Sequence, residues 1–582
     1  MIQRQFLTQT QKRFSLLLRI ICLIFFLSLA ACAGSTPSPV SQSACLSTSS
    51  AVTLLFDYST EKQAWIEPAV AAFNTQQGTC AHPVTVKALS SGSGESMRAI
   101  LDGSVQPDIW SPAGAVWLTR LNQQWQLKHS GTLVGTSANE NPSLVKSPVV
   151  IAMWKPMAQA LGWPAKPLGW ADIARLSTTP NAWAAYGHPE WGDFKFGHTH
   201  PEESNSGLDA IIAENYAAVN KQRNLTSADV NQNSTREFVA NVESSVIHYG
   251  TSTGTFATEM FEKGTDYLSA AVMYENLVVE ANDGQTYKHL PYPVVAIYPR
   301  EGTFYSDHPF AILHTSTVTP EKQAAARIFQ DYLLSATQQQ QALSYGFRPA
   351  AGTRGAPIDQ AHGVDPAQPS SLLAVPDATT IDAIVTSWSQ QRRKVDISLI
   401  IDHSGSMNDA VGGTSKIAGA RAGLAEFVSL MGDLDNLALI QFSDSAEVLS
   451  PISLLGSKRQ QLLDIINNIS ATGGTRLFDT ISQQYQSLQN FSSNHIKALV
   501  VLTDGQDTVS TIKLGQLLEQ ITPHGPDQGE GIKIFTIAYG DPQGKGIDTQ
   551  ALIQIAQVTG GEENPGTPQT IKQVYQEISK FF

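Results

Sequence analysis

Val395 to Met407 reads VDISLIIDHSGSM. Its first eight residues, Val395 to Asp402, form a β run dominated by Val, Ile and Leu that ends in an acid, the pattern of a strand covered on both faces. Downstream come a helix over Lys416 to Met431, a strand over Leu437 to Phe442 and a helix over Arg459 to Ile469. A strand over Ile496 to Asp504, a helix over Leu514 to Ile521, a strand over Ile532 to Tyr539 and helices over 549–558 and 571–582 follow. Repeated β-α units with apolar strands predict a doubly wound, Rossmann-like α/β domain over 394–582. Ligands of such sheets sit outside the carboxyl ends of the strands, where Asp402-His403-Ser404-Gly405-Ser406 falls. No G-x-G-x-x-G follows the strand, which disfavours a dinucleotide site.

Three segments carry the chemistry of this domain: D-x-S-x-S at 402–406, Thr475 within Gly473-Gly474-Thr475, and Asp504 within Leu502-Thr503-Asp504-Gly505. Together they closely resemble the von Willebrand factor type A (VWA) domain with its metal-ion-dependent adhesion site. The resemblance implies that Asp402, Ser404, Ser406, Thr475 and Asp504 hold one divalent cation. The donor set offers only oxygens, as Mg2+ demands, and also accommodates Mn2+ or Ca2+. With two carboxylates, a coordination position stays open, and in the family an Asp or Glu of a protein partner fills it. His403 stands at a non-ligating position where the family more often has a small or apolar residue, so it alters the rim and not the ligand set. Helix caps and turns would explain any one of the five residues, but not all five in order.

Upstream, 51–350 begins as βαβαβ: strand Ala51 to Asp57, helix Glu61 to Thr75, strand Val84 to Leu89, helix Glu95 to Gly103, strand Pro107 to Ser111. The loop Ser90-Ser91-Gly92-Ser93-Gly94 lies directly before a helix, where free N–H groups favour an anion; it lacks the Lys and spacing of a Walker loop. Ser90 to Ile100 (SSGSGESMRAI), Pro148 to Pro164 (PVVIAMWKPMAQALGWP), Phe196 to Leu208 (FGHTHPEESNSGL), Ala270 to Val279 (AAVMYENLVV) and Val294 to Pro299 (VVAIYP) follow in order. With them the segment resembles the two-lobed periplasmic solute-binding proteins that serve ABC importers. The resemblance implies an interlobe cleft for a small solute, lined by Ser91 and Ser93 from lobe one and Ser204, Asn205 and Ser206 from lobe two.

Two catalytic or metal alternatives arise here. Gly250-Thr251-Ser252-Thr253-Gly254 matches G-x-S-x-G between a β-like run and a helix, the setting of a nucleophile elbow at Ser252, but no lipase-like oxyanion loop accompanies it. His198-x-His200 with Glu202 and Glu203 suggests a metal, but the spacing is not that of zinc motifs. Residues 351–393, rich in Pro, Ala, Ser and Asp, read as a linker packed in part through Leu372, Leu373 and Trp388, with Arg392-Arg393-Lys394 as a solvated boundary.

The N-terminus carries Arg4, Lys12, Arg13 and Arg19, then the apolar run Ile20 to Ala30, which has the length of a signal-peptide core and not of a membrane span. It ends in Leu29-Ala30-Ala31-Cys32, which resembles the bacterial lipobox. That implies a signal over 1–31, lipid on Cys32 and a flexible tether over 32–50, with the protein held on the extracytoplasmic face of the cell membrane. Of four cysteines, Cys22 leaves with the signal and Cys32 carries lipid, so Cys45 and Cys80 predict one disulfide in an oxidising compartment.

The 582 residues allow several domains, and a net charge of −13 argues against nucleic acid. Loss of residues 1–31, with four cations and no acid, takes the charge to −17. The expected protein is a non-catalytic lipoprotein that binds a small solute and a protein partner. Its alternatives are the binding component of an ABC importer, with a permease as partner and the VWA domain only for assembly, and an exported serine hydrolase using Ser252.

Overall fold

The computed structural model describes residues 45, 46, 50–352, 355–493, 495–523, 531–540, 546–579 and 581. The signal, Cys32 and nearly all of the tether lie outside the described residues. Among these residues no helix is long and apolar enough to cross a membrane.

Lobe one is built on three parallel strands, β1 (Val52–Ser59), β2 (Val84–Ser91) and β3 (Ile109–Ser111), in the order β2-β1-β3. Their register places Ser59, Ser91 and Ser111 at one end of the sheet. The helix Gln63–Gln77 buries the stripe Trp65, Ile66, Ala69, Val70 and Phe73, the period-3.6 face predicted from the sequence. Phe73 meets Phe329 of the helix Pro320–Leu333 with ring centroids 5.0 Å apart.

Lobe two contains β4 (Val145–Trp154), β5 (Phe196–Thr199), β6 (Val246–Gly250) and β7 (Ala270–Tyr274) in the order β4-β7-β5-β6. Two strands, β8 (Val294–Ile297) and β9 (Tyr305–Ser306), pair antiparallel with β4. The chain returns through β10 (Ala311–Ile312) beside β3 and through β11 (Arg348–Pro349) beside β4. Two crossovers run side by side: Leu144 N donates to His308 O at 3.0 Å, and Phe310 N donates to Pro142 O at 2.9 Å.

The segment 351–393 is packed more extensively than a linker. Its helix, Ala378–Gln391, is capped by Asp377, which accepts from Thr380 N at 2.8 Å, and it buries Ile381, Ile384 and Trp388 in the lobe-two core. Leu373 is buried, but Leu372, read as a second anchor, is 48% exposed. The basic trio is solvated only in part, with Arg393 and Lys394 half-buried. Arg392 is buried and donates to Asp435 Oδ2 at 2.6 Å, and Lys394 Nζ donates to the C-terminal carbonyls of Ser389 and Gln390.

The C-terminal domain starts with β12 (Val395–Asp402), all eight residues of which are buried. A short hairpin, β13 (Ala410–Val411) with β14 (Thr414–Ser415), precedes β15 (Asn436–Phe442), β16 (Ala446–Leu454), β17 (Ile496–Thr503), β18 (Lys533–Tyr539) and β19 (Glu563–Gly566). The sheet order is β16-β15-β12-β17-β18-β19, parallel except for the antiparallel edge strand β16. β16, β19 and the helix Leu477–Asn490 escape the sequence reading. β16 leaves Val448 and Leu454 exposed, β19 reads ENPG, and the helix is rich in Ser and Gln despite burying Leu477, Ile481, Tyr485 and Leu488.

Candidate functional site

At the carboxyl ends of β12 and β17 the sequence-predicted oxygens converge. Asp402 Oδ1 accepts from Ser404 N at 2.7 Å and Oδ2 from Thr503 Oγ1 at 2.6 Å. Ser404 Oγ lies 3.1 Å from Ser406 Oγ, which donates to Asp504 Oδ1 at 2.8 Å. Lys416 Nζ holds the other oxygen, Asp504 Oδ2, at 2.8 Å. Thr475 joins from the third loop: its carbonyl accepts from Thr508 N at 2.9 Å, and a Cβ on Gly505 would stand 3.5 Å from its hydroxyl. Gly473 turns that loop with φ +86° and gives its carbonyl to Gly405 N at 3.0 Å, tying it to the first. Burial, with the charge of Asp504 adding, raises the Asp402 carboxyl to about 6 against the hydrogen bonds from Thr503 and Ser404. Two facing carboxylates ringed by hydroxyls are a donor set that a hard divalent cation fits. Sequence reasoning missed Lys416 and Thr503, which hold the two acids from behind.

In the interlobe region the lobes are closed on one another. Gly94 N, at the start of the helix Ser93–Asp102 and expected to face an anion, donates to the Glu203 carbonyl of lobe two at 2.7 Å. Arg98 pairs with Glu203 and donates to Glu202 O at 3.2 Å. Asn205 accepts from Trp117 Nε1 of lobe one at 3.1 Å and donates to Asp209 at 2.7 Å. Ser204 and Ser206 each lie 2.9 Å from Thr253 Oγ1, Ser91 donates to Asp57 at 2.9 Å, and Ser93 accepts from Ala113 N at 3.1 Å. All five residues predicted for the solute thus lie near the interlobe contact, with their side chains engaged by protein. A pocket of about 470 Å³ opens beside the crossovers, lined by Lys146, Tyr305, Asp307 and Arg348, none of them singled out from sequence.

Deeper at the carboxyl ends of β1 to β3 lies a buried polar cluster that the sequence did not reveal. Lys62 Nζ donates to Ser111 O at 2.9 Å, and His308 Nδ1 lies 3.2 Å from both Lys62 Nζ and Glu61 Oε1. Burial opposes the charge of Glu61, but Lys62, His308 and Ser59 outweigh it and bring its carboxyl down to about 2. Burial, with the charge of Glu95 adding, pushes Asp57 up to about 7 against the Ser91 hydrogen bond and the charge of Lys62, and Asp57 Oδ2, Ser90 Oγ, Ser111 Oγ and His308 Nε2 have no hydrogen-bond partner. The only signal was position, since Glu61 and Lys62 open the predicted helix that follows the strand Ala51 to Asp57.

The histidine pair does not form the suspected site. His198 is fully buried against Glu243, at 3.0 Å, whereas His200 accepts from Glu202 N at 3.3 Å and sits edge-on to Trp388. Ser252 Oγ donates to Thr255 Oγ1 at 2.8 Å at the start of the helix Thr253–Lys263.

Residues 54–348, just over half of the chain, match the family described as bacterial extracellular solute-binding protein. Residues 396–577 match the von Willebrand factor type A domain. An uncharacterized protein of Mycobacterium tuberculosis (strain H37Rv) is 22% identical over 552 residues, 90% of this chain and 76% of that protein. Among solved structures, a periplasmic thiamin binding protein aligns at 12% identity over 58% of this chain and 96% of its own, with a TM-score of 0.43. A von Willebrand factor type A protein from Catenulispora acidiphila aligns at 20% identity over 32% of this chain and 42% of its own, with a TM-score of 0.28.

Proposed function

We propose that this chain, which belongs to the bacterial extracellular solute-binding proteins and carries a VWA domain behind that body, captures a small solute between its lobes and a protein partner at a divalent-metal site. Membership in that family places the protein outside the cytoplasm. The observation that carries the adhesion reading is the meeting of Asp402, Ser404, Ser406 and Asp504 within one chain of short contacts, with Thr475 beside them. A bound Mg2+ there supplies a coordination position for a carboxylate of the partner. Lys416 and Thr503 orient Asp504 and Asp402, and the three serine and threonine hydroxyls complete an oxygen-only rim. A chain of net charge −17 without residues 1–31 repels acidic surfaces in general, so capture of an Asp or Glu rests on this local positive charge.

Cys32 holds the protein to the membrane by lipid, and both bodies work by binding and not by catalysis. Ser252 supports that view, because its hydroxyl is engaged with Thr255 in a helix-start contact. The test is partner retention on immobilised protein across a Mg2+ titration, with Asp402→Ala alongside. Retention should need the ion and vanish in the variant. Retention indifferent to both removes the adhesion reading and leaves the solute-binding one standing.

A further inference from the structure

Lobe two holds a group of side chains that neither the cleft nor the VWA site uses. His198 on β5, Glu214 on the helix Asn205–Ala218 and Glu243 on the helix Asn233–Glu243 are each 0% exposed, and their ligand atoms all lie within 4.8 Å of one another. Both Glu214 oxygens lack any hydrogen-bond partner. Leaving a carboxylate so in a protein interior is strongly unfavourable unless a cation or donor compensates.

The imidazole sharpens the problem. His198 Nδ1 lies 2.8 Å from the Thr199 carbonyl, which can only accept, so the ring hydrogen belongs on Nδ1. In the neutral ring, Nε2 then points a lone pair at Glu243 Oε1, 3.0 Å away. Two acceptors face each other, with a third, Glu214, beside them. A dication among them resolves all three at once, and its charge balances the two carboxylates.

We infer that His198, Glu214 and Glu243 form a buried site for one first-row divalent transition-metal ion such as Zn2+ or Mn2+. One imidazole nitrogen with two carboxylates favours these ions over Mg2+ or Ca2+. The surroundings have the form of an outer ligand shell: Nδ1 is fixed by a carbonyl, and Glu243 accepts from Tyr249 OH at 2.7 Å and from Trp388 Nε1 at 2.9 Å. Trp388 belongs to the helix Ala378–Gln391 that leads into β12, so the ion fastens the segment joining the two bodies. The competing arrangement, an imidazolium paired with Glu243 beside a neutral Glu214, leaves the Glu214 hydroxyl without an acceptor.

The test keeps this site apart from the VWA site. Full-length Asp402→Ala/Asp504→Ala protein is equilibrated with Zn2+, dialysed, and its metal counted by mass spectrometry under native conditions. One ion per chain is expected, with Zn2+ raising and EDTA lowering the melting temperature, and Glu214→Gln should weaken retention by roughly tenfold or more. Should the double variant not fold, wild-type protein in excess Mg2+ is compared with Glu214→Gln for retained Zn2+, and Co2+ substitution reports the ligand field by its visible absorption. Protein that retains no ion and melts identically with Zn2+ and with EDTA overturns the inference and leaves the ion pair. Metal retention that Glu214→Gln does not change overturns it equally.

Discussion

Gly94→Ala tests whether the interlobe contact is a latch. A Cβ at residue 94 would stand 1.9 Å from Glu202 O, 2.7 Å from Glu202 C and 2.9 Å from Glu203 Cα. All three are backbone atoms of the other lobe, so no side-chain rotation relieves the clash. Restoring an ordinary carbon–oxygen contact of roughly 3.2 Å requires the helix and the loop to part by about 1.3 Å. That stretches the 2.7 Å bond from Gly94 N to Glu203 O beyond hydrogen-bonding range and loosens the Arg98 contacts beside it. The lost bond contributes about 1 kcal/mol and overpacking about 1 to 3 kcal/mol more, a total of about 2 to 4 kcal/mol against the closed state. At 1.4 kcal/mol per decade, the closed population should fall relative to the open one by roughly 30-fold or more. The strain falls between lobes and not within one, so opening relieves it without unfolding. Small-angle scattering should show a larger radius of gyration, and distances between spin labels on the two lobes should lengthen, while circular dichroism stays that of wild type. Gly515→Ala, where an added Cβ meets nothing within 4 Å, is the matched control. Identical scattering and label distances for Gly94→Ala and wild type would refute the latch.

Asp57 should give stability a pH dependence that Asp57→Asn removes. Its folded carboxyl is raised from 3.8 to about 7, so its contribution is fully present below about pH 4 and is lost as pH rises through 7. The melting temperature of Asp57→Asn minus that of wild type should therefore grow between pH 4 and 8, and parallel curves would contradict the burial argument. The disulfide Cys45–Cys80 closes 35 residues of separation. Its removal in Cys45→Ser/Cys80→Ser should cost about 4 kcal/mol by chain entropy, read as a lower melting temperature by calorimetry, with an unchanged transition counting against it. A fluorophosphonate probe should leave Ser252 unlabelled in peptide mapping; labelling there would revive the hydrolase reading.

Much of the fold was legible because buried parallel strands advertise themselves. β12 and β17 carry Val, Ile and Leu through the sheet, and their last residues and the loops beyond them name the chemistry at their ends. β16 was not legible, because an edge strand with one neighbour keeps polar and exposed positions that blur its alternation. The segment 351–393 misled for another reason. Its Pro-rich start looks like a linker, while its helix is anchored by long-range partners, Trp388 to Glu243 and Arg392 to Asp435, which no local pattern contains. The same limit hid Lys62 with His308, and the buried partners of His198: its own segment set it beside His200, Glu202 and Glu203, and only the tertiary fold brings it to Glu214 and Glu243.

The junction also decides which way the proposed adhesion site faces. β12 leaves the first body at Val395, where Asp435 accepts both from Val395 N at 3.2 Å and from the buried Arg392. Asp402 lies at the opposite end of the same strand, and seven residue steps of about 3.3 Å each separate the two by roughly 23 Å. A strand hydrogen-bonded on both sides, to β15 and β17, is stiff along its length. Any tilt of the helix Ala378–Gln391 relative to lobe two therefore reaches the VWA domain as a rotation of the whole sheet, not as a change of spacing among Asp402, Ser404 and Ser406. The proposed metal site is thereby insulated from the state of the interlobe cleft while its direction is not. Coupling between solute and partner in this chain should thus appear in how a partner is presented, with the ion's intrinsic affinity the same in the latched and unlatched forms.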